Sequence, residues 1–143
     1  MIRLLRLFSG LLLAVAVSAC VSGSNTPSEP IKIPAPPEGK ARIVVYRTDP
    51  MGVIVQPAVK IDGTKRGICA PNTTFSVDLD PGAHEVAAAT VGGTRVKLNL
   101  KAGQTVFISC RIGMGIVIGI PRLKVVPMGE GAAAVARLTG MGR

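Results

Sequence analysis

The chain has 143 residues, which fits one domain of ordinary size. Hydrophobic residues make up 48% of it but aromatic residues only 3%, so aromatic platforms that stack bases or sugars are nearly excluded. The formal net charge is +9, from 17 Lys and Arg against 8 Asp and Glu, yet the basic residues are scattered along the chain. Because a nucleic-acid groove usually needs a clustered basic patch, we expect no nucleic-acid partner.

The first twenty residues are typical of a secretion signal. Arg3 and Arg6 precede an apolar stretch, residues 11–17, that is too short for a stable membrane-spanning helix. Residues 17–20, Val-Ser-Ala-Cys, resemble the lipobox of bacterial lipoproteins, whose cysteine takes the lipid and becomes the mature N-terminus. We therefore predict a signal peptide over residues 1–19 and membrane attachment through lipidated Cys20. The alternatives are an ordinary secreted protein with a chance cysteine and an uncleaved anchor.

The residue after the cysteine bears on the destination of such a protein. In lipoproteins of two-membrane bacteria, an Asp at this place commonly retains the protein at the inner membrane, whereas this chain has Val21. The expected location is therefore the cell envelope, on the periplasmic face of the outer membrane if the organism has two membranes.

A proline-rich segment separates the cysteine from the rest of the chain. Residues 20–40 contain five prolines with Ser, Asn and Gly between them and show no sustained apolar period. In a polyproline-like conformation the last twenty of these residues would reach up to about 60 Å, at about 3.1 Å per residue. We predict that residues 20–40 are a tether and residues 41–143 a β-sandwich domain; a proline-rich ligand for a partner is the alternative.

From residue 41 onward the patterns predict strands and tight turns. The nearly continuous apolar run of residues 41–47 predicts a strand covered on both faces, and residues 57–69 predict a hairpin that turns at Asp62-Gly63. Leu123 and Val125 alternate with basic residues in the last predicted strand. The other alternating stretches are residues 75–79, 84–91, 96–100 and 104–112.

Together these elements predict the fold class. Seven or eight short strands, with turns every ten or so residues, indicate an all-β, antiparallel β-sandwich. Residues 130–138 are rich enough in alanine for a short C-terminal helix.

Five stretches carry a resemblance to a known family. They are ARIVVYR (41–47), VKIDGTKRG (59–67), LDPGAHEV (79–86), LNLKAGQTVFISCRIGMG (98–115) and PRLKVV (121–126), followed by the predicted helix. In this order they resemble the bacterial lipoprotein domain known as domain of unknown function 2846, over about residues 40–138. The resemblance implies a small β-sandwich on a lipid anchor and no established activity, so no catalytic residue is carried over.

His84 is the only histidine, so a histidine-based general base would have to be built around it. The nearest acids in sequence are Asp78, Asp80 and Glu85. Because side chains alternate along a strand, His84 should lie on the same face as Val86, directly after a turn. We favour a structural role, in which the imidazole bonds to the turn backbone. A hydrolase with His84 as its base is the least favoured function, because no Gly-x-Ser-x-Gly motif is present. We therefore predict no enzyme, no catalytic residue and no cofactor.

Two further cysteines, Cys69 and Cys110, remain when Cys20 is lipidated. Neither lies in a Cys-x-x-Cys motif, and a zinc site needs three or four ligands, so we predict no metal site. In an oxidising compartment the pair suggests a disulfide. The alternative is two separate buried cysteines that pack as small apolar side chains, and the sequence leaves both open.

Residues 112–121 form an uncharged stretch between Arg111 and Arg122. We predict a core strand with glycines at tight bends. The alternative is an exposed apolar strip that docks on lipid or on a partner.

The basic residues of the domain suggest a contact surface for anionic lipid or cell-wall polymer. Its candidates, besides Lys60, are Lys65, Arg66, Arg95, Lys97, Arg111, Arg122 and Lys124. A solvated strand exterior, with lysines that protect the sheet edges, is the alternative.

The sequence thus favours a lipid-anchored envelope protein that serves as a binding or accessory module of an envelope assembly. The main alternative is a structural protein that contacts cell-wall polymer or membrane through its basic face.

Overall fold

The structure, a computed structural model, describes residues 30–50, 52–88, 94–113 and 119–138. In these ranges eight strands form two four-stranded sheets that pack face to face, with one helix on the outside. The elements are β1 (Ala41–Arg47), β2 (Ala58–Ile61), β3 (Thr64–Ile68), β4 (Thr73–Leu79), β5 (Gly82–Ala88), β6 (Arg95–Leu100), β7 (Thr105–Gly113), β8 (Ile120–Val126) and α1 (Met128–Ala136). The predicted β-sandwich with a short C-terminal helix is confirmed.

The first sheet has the strand order β4-β1-β7-β8 and the second has β3-β2-β5-β6. Five of the six strand pairs in the described residues are antiparallel, as predicted, but β1 and β7 run parallel. Turn signals specify only pairs of neighbouring strands. The β1–β7 pair joins strands that are far apart in sequence, so local patterns carry no information about its direction.

β1 is buried on both faces, as its continuous apolar run predicts. Ile43 and Val45 contribute to the core between the sheets, while Val44 and Tyr46 contribute to a second cluster on the outer face of the first sheet. The hairpin predicted at Asp62-Gly63 is also present, since β2 and β3 pair antiparallel around that turn.

The last strand differs from its predicted pattern. Leu123 is 6% exposed and belongs to the main core, but Val125, on the same face, is 41% exposed, and Val126 is 6% exposed. Val126 is buried because α1 folds back over the outer face of the first sheet and covers it. A period-2 pattern cannot reveal this second covered face.

The helix lies very close to β7. A Cβ atom on Gly131 would overlap with Phe107 Cβ and Cγ, so only glycine permits the helix backbone to approach the ring this closely. Val135 and Leu138 complete the second cluster from the helix side. The helix therefore forms a fixed wall on the outer face of the first sheet.

The part of the predicted tether that the structure describes, residues 30–40, has no regular secondary structure. Its Ile31 and Ile33 pack against the second cluster. Arg42 donates one hydrogen bond to Pro34 O at 2.7 Å and two to the Asp78 carboxylate at 2.6 and 2.8 Å. These contacts place residues 31–36 on the domain surface, beside α1. No helix in the described ranges has the length and apolar character needed to cross a membrane.

Candidate functional site

Several sequence predictions fall wholly or partly outside the described residues. The signal peptide of residues 1–19 and Cys20 lie outside them, as does the middle of the uncharged stretch, residues 114–118. At the two ends of that stretch, Ile112 packs against the main core and Pro121 is buried. These ends therefore belong to core strands.

The structure joins Cys69 and Cys110 in a disulfide, with an S–S distance of 1.96 Å and a Cα–Cα distance of 6.3 Å. Cys69 follows the edge strand β3 of the second sheet, and Cys110 lies in the middle of β7 in the first sheet. Both cysteines are buried in the main core. The bond therefore links the two sheets directly beneath the outer face on which Arg111 lies.

Arg47 is a buried residue that the sequence analysis did not single out. Its guanidinium donates hydrogen bonds to four backbone carbonyls, those of Asp49, Val55 and Cys69 at 3.0 Å and that of Gly52 at 3.3 Å. Burial lowers the pKa of Arg47 from its ordinary value. The side chain ties the loop after β1 to the disulfide. Its one sequence signal is its place at the end of a continuous apolar run.

His84 joins two turns of the sandwich. Its Nδ1 lies 2.7 Å from Asp62 Oδ2, and its Nε2 lies 2.8 Å from Asp80 O. Asp62 Oδ1 also accepts a hydrogen bond from the Glu85 backbone at 2.9 Å. The contact with Asp80 O is of the kind predicted, whereas the carboxylate partner is Asp62, which is distant in sequence. In the described residues no group of three or more His, Cys, Asp or Glu side chains could hold a metal.

Both ring nitrogens of His84 face acceptors, so the doubly protonated imidazolium fits the site. The hydrogen bond with Asp62, then that with the Asp80 carbonyl, raises the pKa of His84 above 6.5. The hydrogen bond with His84, then that from the Glu85 backbone, lowers the pKa of Asp62 below its usual 3.8.

Replacing His84 with Gln is expected to lower the free energy of unfolding by about 1 kcal/mol at acidic pH and by less at alkaline pH. The folded-state pKa of His84 is raised, so its contribution is complete below 6.5 and is lost as the pH rises through that pKa. The pKa of Asp62 is lowered, so its contribution is present above 3.8 and is lost as the pH falls through the lowered value. Urea denaturation at about pH 5 and about pH 8 measures the difference.

Asp62→Asn serves as the matched variant, because it removes the other member of the same pair. It should show the same trend with pH. An equal loss of stability at both pH values would contradict the proposed charge on His84.

The seven candidate surface residues do not form one surface. Lys65, Arg95 and Lys97 lie on the outer face of the second sheet, opposite Lys60, Ala87 and Glu85 in the strand register, and Arg66 lies beside them in β3. Arg95 is also paired with Glu85 at 3.3 Å. The other three, Arg111, Arg122 and Lys124, lie on the outer face of the first sheet, on the opposite side of the sandwich. The sequence cannot separate these two sets of residues. A strand pattern shows that a residue points outward, but it does not show to which sheet the strand belongs.

The second set lies in a cleft beside the helix, called the α1 cleft below. Two concavities of about 520 and 370 Å³ share Arg111 and Glu130 in their walls. The larger is lined by Tyr46, Thr48, Asn72, Arg111, Glu130, Ala133, Ala134, Arg137 and Leu138, and the smaller by Thr94, Ser109, Arg111, Arg122, Leu123, Lys124, Val126 and Glu130. Arg137 and Glu130 were not predicted as site residues, because only the folded-back helix brings them to this face.

The charges of the α1 cleft are unbalanced. Four cations line it, from Arg111, Arg122, Lys124 and Arg137, against the single carboxylate of Glu130. In the part of the chain that the structure describes, none of these four cations takes part in an ion pair.

Comparison with known proteins identifies the family of this fold. The chain matches the family described as protein of unknown function (DUF2846) over residues 37–120. It belongs to the DUF2846 family. The expected resemblance extended to about residue 138, but the match ends at the first residue of β8. The rest of β8 and the helix, which form one side of the α1 cleft, therefore lie outside the matched region.

The remaining comparisons assign no activity to this DUF2846 protein. No curated protein matches the chain. Among solved structures, the chain is similar to the N-terminal domain of AlgF from P. aeruginosa, with 17% sequence identity and a TM-score of 0.45. That similarity covers 64% of this chain and 98% of the AlgF chain. A likeness at this identity and score carries no argument about function.

Proposed function

We propose that this protein is a lipid-anchored cell-envelope protein whose β-sandwich serves as a binding module, with the α1 cleft as its binding surface. The observation that carries the proposal is the cleft itself: an open, charged concavity between a helix and a sheet. Its larger part, about 520 Å³, lies within the size range of ligand pockets. The lipobox-like residues 17–20 support the anchor.

The strand and the helix that form the walls of the α1 cleft are held in place, which suits a binding role. Arg111 directly follows Cys110, whose disulfide links β7 to the second sheet. Close contact between Gly131 and Phe107 holds the helix against the same strand. Sites built on such fixed elements keep their geometry better than sites on loops. In this proposal the anchor keeps the module at the envelope, on the periplasmic face of the outer membrane in a two-membrane organism.

The anchor is tested by Cys20→Ala. The variant is expected to lose all acyl labelling and to accumulate as precursor, because the thiol that takes the lipid is gone. Metabolic labelling with a fatty-acid probe, followed by membrane fractionation, measures both effects. Cys69→Ala is the control for loss of a cysteine and should still be labelled. Normal acylation and attachment of Cys20→Ala would contradict the anchor.

Binding at the cleft is tested by photo-crosslinking in intact cells, with probes at single positions of the full chain. Thr48 and Ala133 are exposed positions in the wall of the larger concavity, and exposed Lys60 lies on the opposite face of the sandwich. We expect one dominant adduct from the two cleft positions and none from Lys60. The same weak adducts from all three positions would contradict a binding role for the cleft.

A second candidate function is structural contact with cell-wall polymer. It is favoured by the basic outer face of the second sheet, where Lys60 and Lys65 lie opposite each other. The test is co-sedimentation of the full chain with purified wall material at low and high salt. Binding that salt abolishes and that Lys60→Gln/Lys65→Gln weakens would favour this function over the cleft.

A further inference from the structure

We propose that the α1 cleft binds a ligand that carries two or more phosphate or carboxylate groups, held by Arg111, Arg122 and Lys124 from the sheet and by Arg137 directly after the helix. This inference rests on the proposed function and names the ligand class of the same cleft.

The first argument is the distribution of acidic residues. The chain has eight, and all except Glu29 lie in the described ranges. Four of them, Asp62, Asp78, Asp80 and Glu85, are paired with His84, Arg42, Lys40 and Arg95. Of the described acids, only Glu130 lines the α1 cleft, against four cations. The fold thus pairs carboxylates elsewhere and leaves an excess of three positive charges here.

The second argument is the strand register. Arg111 and Arg122 lie directly opposite each other in the β7–β8 pair, and Lys124 lies two residues further along the same face of β8. The Cβ atoms of residues directly opposite are about 5 Å apart, and like charges in this position destabilise a sheet. An anion between them converts this repulsion into attraction. The arrangement is unfavourable for the empty domain and favourable for an anion complex.

The third argument is the chemistry of the walls. Guanidinium groups offer planar, paired donors that match phosphate and carboxylate oxygens, and three of the four cations are arginines. Thr48, Asn72 and Ser109 add neutral hydrogen-bonding groups along the same walls. The two concavities, of about 520 and 370 Å³, extend well beyond the volume of one small anion. A ligand with several anionic groups and neutral polar parts between them matches both the positive charge of the α1 cleft and its extent.

The test uses the full chain, purified in a non-ionic detergent, with tripolyphosphate as the probe. Calorimetric titration at low ionic strength measures its dissociation constant for wild type, for Arg111→Gln/Arg122→Gln and for Arg95→Gln/Lys97→Gln. Each variant removes two positive charges, but on opposite faces of the sandwich. We expect binding to weaken at least tenfold in the cleft variant and by less than twofold in the control. Equal weakening in both variants, or no binding to wild type, would overturn the proposal.

Thermal unfolding separates lost binding from lost folding. Without ligand, the cleft variant is expected to unfold at the same temperature as wild type or higher, since the substitutions remove repulsion between exposed groups. With tripolyphosphate, wild type should gain thermal stability and the cleft variant should not, because only a bound ligand stabilises the folded state. An equal gain in both proteins would contradict the assignment of the site.

Two sources of the anion are distinguished by competition. Short-chain, water-soluble cardiolipin carries two phosphates; if it displaces tripolyphosphate from wild type, the source is a lipid headgroup, and failure to displace it would indicate a soluble or polymeric anion. Both results support an anion site.

The anion inference and the proposed binding function can fail separately. If the photo-crosslinks from Thr48 and Ala133 lead to a partner while tripolyphosphate does not bind, the anion inference fails and the proposed binding function stands.

Discussion

Replacing Arg47 with Met is expected to lower the free energy of unfolding by about 4 kcal/mol. The guanidinium is buried and donates to four backbone carbonyls in the loop after β1 and at Cys69. Met fills a similar volume but has no donor, so several buried acceptors lose their partners, at about 1–3 kcal/mol for each that water cannot reach. Urea denaturation of the full chain measures the loss as a shift of the midpoint.

Arg122→Met is the matched control for this prediction, because it makes the same replacement at an exposed position. It should change the unfolding free energy by about 0.5 kcal/mol or less. Arg47→Lys should also be strongly destabilising, since one ammonium cannot reach carbonyls that surround a planar group on several sides. A loss below about 1 kcal/mol in Arg47→Met would show that the loop does not depend on this side chain.

Removal of the disulfide is expected to cost about 4 kcal/mol of unfolding free energy. Cys69 and Cys110 are 41 residues apart in sequence, and a link of that span restricts the unfolded chain strongly in the chain-entropy model. The measurement is urea denaturation of wild type with and without reductant. The Cys69→Ala/Cys110→Ala variant is the control; its stability should match reduced wild type approximately and should not respond to reductant.

A thiol count provides an independent test of the bond. Under denaturing conditions without reductant, the proposed form of the chain, with the lipid on Cys20, should expose no reactive thiol. Two or more reactive thiols would contradict the bridge.

The sequence patterns predicted local structure well, for physical reasons. Alternation along strands reports which residues face a covered surface, so β4, β6 and β7 follow from their alternating apolar residues, and β1 follows from its continuous apolar run. Asp62-Gly63 specifies a tight turn locally, because Asp62 and Gly63 both adopt positive φ, at 51° and 79°. The C-terminal helix begins at Met128, two residues before the predicted start. In the last strand the pattern missed the buried Val126, because the helix that covers the outer face is not visible in a strand pattern.

The candidate site was predicted only in part. Three of the seven proposed contact residues line the α1 cleft, and the other four belong to the opposite sheet. Their positive charge and their places in predicted strands made all seven candidates without revealing that the two sets face opposite directions. Glu130, on the helix, and Arg137, directly after it, have no such sequence signal, because their position depends on how α1 crosses the sheet. The Asp62 partner of His84 was missed for a similar reason, since the register between β2 and β5 brings it close.

By itself the sequence determined the fold class, the family and the residues that face outward, because these depend on local periodicity, turn chemistry and motif order. It also located the lipobox-like segment on which the proposed anchor rests. Only the tertiary structure decided that β1 and β7 run parallel, that Cys69 and Cys110 lie within bonding distance, and that four cations with no ion pair among the described residues gather beside α1. Each of these features joins residues that are distant in the chain, and their approach is set by how the sheets and the helix pack together.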